Sequence, residues 1–174
     1  PNFGTNGLLA EYYNSKDFTG TKVLSRTESQ VNLSLGITSP VFGVNADNFS
    51  IRWTGKLAPT VTGKYIFYTK ADDGVRLWVN GQQLIDNWVD QGATEKSNTI
   101  DLEQGKFYDI KLEYYEATGE ATIQLLWQPP SGQKEIIPAN NLFRIVGTDN
   151  DGSLSQTERD AIGYNYKVGT NSTA

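Results

Sequence analysis

Two adjacent carboxylates, Asp72 and Asp73, are the residues of this chain whose types and spacing most directly suggest chemistry. Two ionised carboxylates about 5 Å apart repel each other by about 3 kcal/mol at an effective dielectric constant of about 20. A hard cation such as Ca²⁺ would offset this repulsion, because it prefers oxygen ligands and accepts irregular loop geometry. The alternative is an Asp-Asp-Gly hairpin turn in which Gly74 adopts a positive φ. The pair by itself leaves both interpretations open.

The segments on either side of the pair have the two-residue period of β-strands. Residues 64–71 precede the pair and residues 75–79 follow it. Asn80-Gly81 is a two-residue hairpin signal, which predicts an antiparallel return strand over 82–88. Aspartate is uncommon within strands. The pattern therefore places Asp72 and Asp73 at the rim of a sheet.

The rest of the chain also predicts short strands. They cover residues 7–13, 49–57, 99–102, 107–116, 121–127 and 135–137, with an exposed polar loop over 89–97. Parity places Glu116 on the inward, mostly apolar face of its strand, towards the end of the core where the Asp pair lies. A tight connection over 117–120 predicts a hairpin into the next strand. Short alternating strands separated by Gly, Pro and Asn turns predict an all-β antiparallel sandwich in one domain.

The composition excludes several classes of function. The chain has no cysteine and no histidine, so disulfides, thiolate metal sites, zinc–imidazole sites and His-based triads are excluded. The formal net charge of −5 argues against nucleic acid and against direct contact with an anionic membrane. No stretch is apolar for the 18 or so residues of a membrane span. We expect a monomeric module of a larger, exported bacterial protein.

Several motifs together resemble the PA14 family. They are Leu-Leu-Ala-Glu-Tyr-Tyr at 8–13, Ile-Arg-Trp-Thr-Gly at 51–55, Gly-Lys-Tyr-Ile-Phe at 63–67, Ala-Asp-Asp-Gly-Val-Arg-Leu-Trp-Val-Asn-Gly at 71–81 and Leu-Ile-Asp-Asn-Trp at 84–88. The likeness covers roughly residues 6–143, and we assign residues 1–143 to a PA14 β-sandwich. In lectin members of the family an adjacent Asp pair, joined by a cis peptide, holds Ca²⁺, which two vicinal sugar hydroxyls then ligate. The resemblance implies the same role for Asp72 and Asp73, and is strongest to the calcium-dependent lectin branch found in bacterial adhesins.

The resemblance also suggests the other ligands. In the flocculin branch they lie on the loop between the last two long strands, which here reads Glu-Ala-Thr-Gly-Glu and departs from the flocculin pattern. The expected metal ligands at this site are Asp72, Asp73, Glu116, Thr118 and Glu120. The expected sugar-binding residues are Asp72, Asp73, Gly74, Asp90, Gln91 and Glu120. The four tryptophans, at 53, 78, 88 and 127, could stack on a sugar, but their strand positions favour the core.

A second calcium motif lies in the tail. Residues 147–158 resemble an EF-hand loop, with Asp149, Asp151, Ser153 and Glu158 as candidate ligands, but the first position is Gly147 instead of Asp. The sequence leaves open whether this loop binds a metal ion. The motif Ser-Gln-Thr-Glu at 155–158 is a capping box that predicts a short helix through Ile162. We assign residues 144–163 to this appendage and 164–174 to a linker.

These expectations favour a calcium-dependent carbohydrate-binding module of a bacterial cell-surface adhesin, located outside the cell. The alternative is a structural or prodomain module of a binary-toxin-like or glycosidase-associated protein that binds no sugar. Catalysis is not expected, because glycoside hydrolysis needs two carboxyl groups that face each other across the scissile bond. Adjacent aspartates in a solvated calcium loop do not provide that arrangement.

Overall fold

Twelve strands form two antiparallel sheets in the computed structural model, which describes residues 5–144. The strands are β1 Leu8–Tyr13, β2 Leu24–Glu28, β3 Asn32–Gly36, β4 Phe49–Leu57, β5 Gly63–Asp72, β6 Gly74–Val79, β7 Gln82–Asn87, β8 Thr94–Leu102, β9 Tyr108–Glu116, β10 Ala121–Gln128, β11 Glu135–Ile136 and β12 Leu142–Phe143. The three-residue 3-10 helix Ala139–Asn141 is the only helix of this part of the chain. No helix among these residues is long and apolar enough to cross a membrane.

The two sheets face each other as a sandwich. The larger sheet has the order β2-β1-β4-β9-β6-β7, with β12 also paired to β4. The smaller sheet has the order β11-β10-β5-β8, with β3 also paired to β10. All recorded pairings are antiparallel, so the all-β antiparallel sandwich predicted from the sequence is confirmed.

Alternating apolar side chains fill the space between the sheets, as the two-residue period predicts. Trp53 and Trp127 are fully buried there, together with Phe49, Tyr65 and Tyr114. Trp78 and Trp88 are only half-buried. The predicted core position is therefore confirmed for two of the four tryptophans.

Two of the three connections that the sequence suggested as hairpins are crossovers between the sheets. β5 belongs to the smaller sheet and β6 to the larger, so the hairpin interpretation of Asp-Asp-Gly is wrong. β9 and β10 are likewise in different sheets, so the hairpin predicted over 117–120 is also wrong. Asp72 pairs with Thr122 across β5 and β10, and Gly74 pairs with Tyr115 across β6 and β9. Both crossings therefore lie side by side at one end of the sandwich.

The hairpin predicted at Asn80-Gly81 is confirmed. β6 and β7 pair antiparallel, and Asn80 and Gly81 have φ values of 53° and 75°, which a type I′ turn requires. The loop predicted over 89–97 is shorter, because β8 begins at Thr94 and pairs with β5 along its length. β8 is an edge strand whose residues 95–99 are exposed, so it lacks the apolar alternation that would have predicted its first half.

Candidate metal centre

Three carboxylates meet where the two crossovers lie side by side. Asp72 ends β5, Asp73 lies in the crossover that follows, and Glu116 ends β9. Each offers one oxygen atom, and these three atoms lie within 4.8 Å of one another. Ca²⁺ holds oxygen ligands at 2.3–2.6 Å, so two oxygens on opposite sides of the ion are about 5 Å apart. The cluster therefore has the size and the donor type that one calcium ion requires.

Asp73 is oriented by the backbone of two loops. Gln91 N–H donates to Asp73 Oδ1 and Ala117 N–H donates to Asp73 Oδ2, each at 2.8 Å. The Gln91 side chain also donates through Nε2 to the carbonyl oxygen of Asp73 at 3.0 Å. Each carboxylate oxygen that accepts one hydrogen bond keeps a further lone pair for a cation. These contacts fix the orientation of the Asp73 carboxylate.

The backbone between the two aspartates has the form that the resemblance implies. The peptide bond joining Asp72 and Asp73 is cis. The hydroxyl of the buried Tyr114 donates to the carbonyl oxygen of Asp72 at 2.6 Å. Asp73 N–H donates to the Tyr115 carbonyl oxygen at 3.2 Å. Two residues near the end of β9 therefore hold the backbone of the crossover between β5 and β6.

Glu116 is the least satisfied polar side chain of the site. It is fully buried, as strand parity predicted, and neither of its carboxylate oxygens has a hydrogen-bond partner. An ionised carboxylate that is buried without donors is strongly unfavourable, so such a group needs a cation or a proton. Since the unsatisfied oxygens point to a missing positive charge, the residues present fit a divalent cation.

The three carboxylates also oppose one another's ionisation. The pKa of Glu116 is raised to about 8, first of all by burial. The close contact with Asp73 and its negative charge come next, followed by the charges of Asp72 and Asp47. Burial, followed by the charges of Asp73 and Glu120, raises the pKa of Asp72 to about 6. A bound divalent cation reverses this balance, because it favours the ionised forms.

The raised pKa of Glu116 predicts an inverted pH dependence for the metal-free protein. Because the folded state holds this proton more tightly than the unfolded chain, its stabilising contribution is complete at about pH 4 and is lost as the pH rises through about 8. In EDTA we expect the melting temperature to fall between pH 5 and pH 9. Thermal unfolding followed by circular dichroism measures this. Glu116→Gln should flatten the profile, and an unchanged slope in that variant would contradict the assignment.

Four expected contact residues lie on the loops next to the carboxylate cluster. Thr118 and Glu120 are exposed on the crossover after β9, and the charge of Glu120 acts on Asp72. Asp90 is exposed, and its Oδ1 accepts a hydrogen bond from the Tyr115 hydroxyl at 2.6 Å. Gln91 is half-buried, with its side-chain nitrogen engaged by Asp73. The tail candidates Asp149, Asp151, Ser153 and Glu158 lie outside the described residues.

The sequence did not indicate Asp47, which also borders the cluster. Asp47 Oδ1 accepts a hydrogen bond from Gly119 N–H at 3.1 Å, and its charge contributes to the raised pKa of Glu116. The next residue, Asn48, donates its N–H to the Ala117 carbonyl oxygen at 2.8 Å. Asp-Asn before a strand is a turn signal, and Asn48 has a positive φ of 58°.

Gly74 is required for a reason other than the positive φ expected for a hairpin. Its φ is not in the left-handed region, and a Cβ atom added there would lie 2.0 Å from a ring carbon of Tyr115. Gly74 is itself buried, so the crossover passes directly under an aromatic ring. The expectation of a positive φ is therefore wrong, and steric exclusion explains the glycine.

We expect Gly74→Ala to lower the free energy of unfolding by about 1–3 kcal/mol, because the methyl group must displace the Tyr115 ring or the crossover. Urea unfolding measures the change. Gly92→Ala is the matched control, since a Cβ atom at Gly92 meets nothing within 4 Å. Its effect should stay within about 0.5 kcal/mol. Equal stability of both variants would contradict the packing described here.

Comparisons with known proteins agree with this architecture. The model of the PA14 domain family matches residues 4–141. The chain is 43% identical over 161 residues to the "Anti-sigma-I factor RsgI3" of Acetivibrio thermocellus, which covers 92% of the chain but only 24% of that relative's length. A solved structure described as an "anti-sigma factor domain-containing protein" has 46% identity and a TM-score of 0.77, over 79% of this chain and 47% of that one.

A third similar protein is described as a "PA14 sugar-binding domain from RTX adhesin". It has a TM-score of 0.67 over 80% of this chain and 99% of its own, with 19% sequence identity. At that identity the likeness concerns the fold alone. The higher identities belong to anti-sigma factor proteins, and those relatives extend well beyond the region that this chain spans.

Proposed function

Since this chain belongs to the PA14 domain family, we propose that it is a calcium-dependent carbohydrate-binding domain whose Asp72, Asp73 and Glu116 hold the ion. Bound there, Ca²⁺ would supply open coordination positions for two adjacent sugar hydroxyls. The observation that carries the proposal is Glu116, a fully buried carboxylate with no hydrogen-bond partner, beside two further carboxylates.

The donor set favours calcium over other metals. All three side chains offer oxygen, and the chain contains no histidine or cysteine, which zinc and copper prefer. The three carboxylates differ in their hydrogen bonds and form an irregular group of ligands. Such a group suits the flexible coordination of Ca²⁺ better than the near-octahedral coordination of Mg²⁺, which retains several water ligands. Three negative charges around one divalent ion favour tight binding.

The exposed side chains of the surrounding loops would select the sugar. Glu120 and Thr118 lie on one crossover, and Asp90 is held towards Tyr115 by a hydrogen bond. The Gln91 side chain already donates through Nε2 to Asp73. Its side-chain oxygen, Oε1, is therefore the atom that can accept a hydrogen bond from a sugar hydroxyl. In this proposal Gln91 both positions a metal ligand and contacts the sugar.

The relatives suggest where such a domain acts. We propose that the parent protein is an anti-sigma factor and that this domain lies outside the cell as its glycan sensor. The 43% identity to an anti-sigma-I factor supports this parent over a cell-surface adhesin, for which the similar structure has 19% identity. Glycan binding outside the cell would then report which polysaccharide is present.

The test combines calcium titration with glycan binding. Isothermal titration calorimetry should detect one tight calcium site within residues 5–144, and a glycan array should give signals in Ca²⁺ that disappear in EDTA. The full chain also carries the 147–158 motif, so Asp72→Asn serves as the control that removes only the proposed site. Sugar binding that is equally strong in EDTA, or a calcium isotherm unaffected by Asp72→Asn, would overturn the proposal and favour the module that binds no sugar.

A further inference from the structure

Phe42 presents its aromatic ring entirely to solvent. Its exposed fraction is 100%, and no other aromatic side chain of residues 5–144 is as exposed. Trp53 and Trp127 are buried, and Lys111 Nζ lies 4.3 Å from the Trp78 ring centroid. Trp88 stacks on Phe18 with ring centroids 5.9 Å apart, and the Arg76 guanidinium lies 3.7 Å from the Trp88 ring centroid. Among residues 5–144, Phe42 is therefore the aromatic side chain most open to a ligand.

A tight turn over 41–44 fixes the backbone that carries this ring. Val44 N–H donates to the Val41 carbonyl oxygen at 3.0 Å, and Gly43 has a φ of 93°, as a turn with the aromatic residue at its corner requires. The Asn14 side chain donates to the Gly43 carbonyl oxygen at 3.1 Å. Since the backbone is already fixed, a ligand that stacks on the ring has little backbone entropy to remove.

The same loop continues directly to the carboxylate cluster. Asp47, five residues further on, accepts a hydrogen bond from Gly119, and Asn48 bonds to Ala117, whose N–H orients Asp73. Five residues span at most about 17 Å when fully extended. The loop therefore keeps Phe42 within that distance of Asp47, which borders the cluster, and a glycan of a few sugar rings is long enough to span it.

We propose that Phe42 forms a second sugar subsite, on which another ring of the glycan held at Asp72, Asp73 and Glu116 stacks. The apolar C–H face of a pyranose fits a flat aromatic ring, and the ring contributes no burial to the core. This inference rests on the proposed function. With two subsites, the domain would bind an oligosaccharide or polysaccharide more tightly than a single sugar.

The test compares substitutions at Phe42 by affinity electrophoresis in gels that contain xylan, β-glucan, galactomannan or arabinan, with Ca²⁺ present. Phe42→Ala and Phe42→Leu should each weaken retention of the full chain by about tenfold, whereas Phe42→Trp should retain it. Leucine keeps apolar volume without a flat face, so it separates stacking from general hydrophobicity. Val61→Ala is the surface control. Val61 is exposed and follows the end of β4 that lies away from the carboxylate cluster, so this change should leave retention unaltered.

Two further measurements separate this inference from the proposed function. Calcium affinity and melting temperature should be unchanged in all Phe42 variants, because the side chain contacts neither core nor ligand carboxylates. If the parent chain binds a polysaccharide in Ca²⁺ and Phe42→Ala or Phe42→Leu binds it equally well, the second subsite is overturned while the proposed function stands. If the parent chain is retained by none of the four polysaccharides and by no array glycan, both are overturned.

Discussion

Glu116→Gln is expected to weaken calcium binding about 100-fold while stabilising the metal-free fold. Glutamine keeps the shape of the side chain but removes one of three charges that attract the ion, together with one anionic ligand oxygen. Without metal, the same change removes an unpartnered buried carboxylate and its repulsion with Asp73. The two effects therefore have opposite signs.

Calorimetric titration at pH 8.5 measures the affinity, and urea unfolding in EDTA measures the stability. At this pH the native Glu116, whose pKa is about 8, is largely ionised in the metal-free protein, so the gain on substitution is greatest. Glu103→Gln is the matched control, because Glu103 is exposed and follows β8 at the end of the sandwich away from the three-carboxylate group. A metal-free Glu116→Gln protein less stable than the parent chain would show that the carboxylate has a structural partner.

Asp73→Asn is expected to abolish glycan binding and to destabilise the metal-free fold by about 2–3 kcal/mol. Both carboxylate oxygens accept a backbone N–H, and asparagine can accept only one of them. The other backbone N–H then faces the NH₂ group of asparagine, and this unsatisfied donor is buried. Loss of stability in EDTA therefore reports the hydrogen bonds, and loss of the calcium isotherm reports the ion site.

Asp72→Asn provides the comparison at the neighbouring position. We expect it to remove calcium and glycan binding as completely, with a much smaller change in metal-free stability, because Asp72 is half-buried and its pKa is already raised. Asp101→Asn, an exposed residue near the opposite end of the smaller sheet, controls for the change in net charge. Equal destabilisation by Asp72→Asn and Asp73→Asn would contradict the different roles described for them.

Local sequence was sufficient for most of the long strands and for the Asn80-Gly81 hairpin but not for the path between the sheets. Asn80-Gly81 specifies its own turn, so the hairpin was predictable. The connections at 72–74 and 117–120 have ordinary turn residues, and whether a chain returns in one sheet or crosses to the other depends on packing of the whole sandwich. The first half of β8 was missed for a related reason, since an exposed edge strand needs no apolar alternation.

The candidate site was partly predictable. Strand parity placed Glu116 inside, and the resemblance selected the Asp pair, so the three clustered carboxylates could be predicted from the sequence. Asp47 was not, because it reaches the cluster from an irregular loop, where neither period nor motif carries information about position. Its approach depends on hydrogen bonds to a crossover distant in sequence.

The paired crossovers also have a mechanical consequence. Asp72 extends from the smaller sheet and Glu116 from the larger, so an ion held by both would tie the layers at one end, much as a removable cross-link does. Chelation would then permit the layers to separate there first. Amide hydrogen exchange at Ala117 and Gln91 would accelerate in EDTA, while exchange near the Asn80 turn, at the far end, would keep its rate.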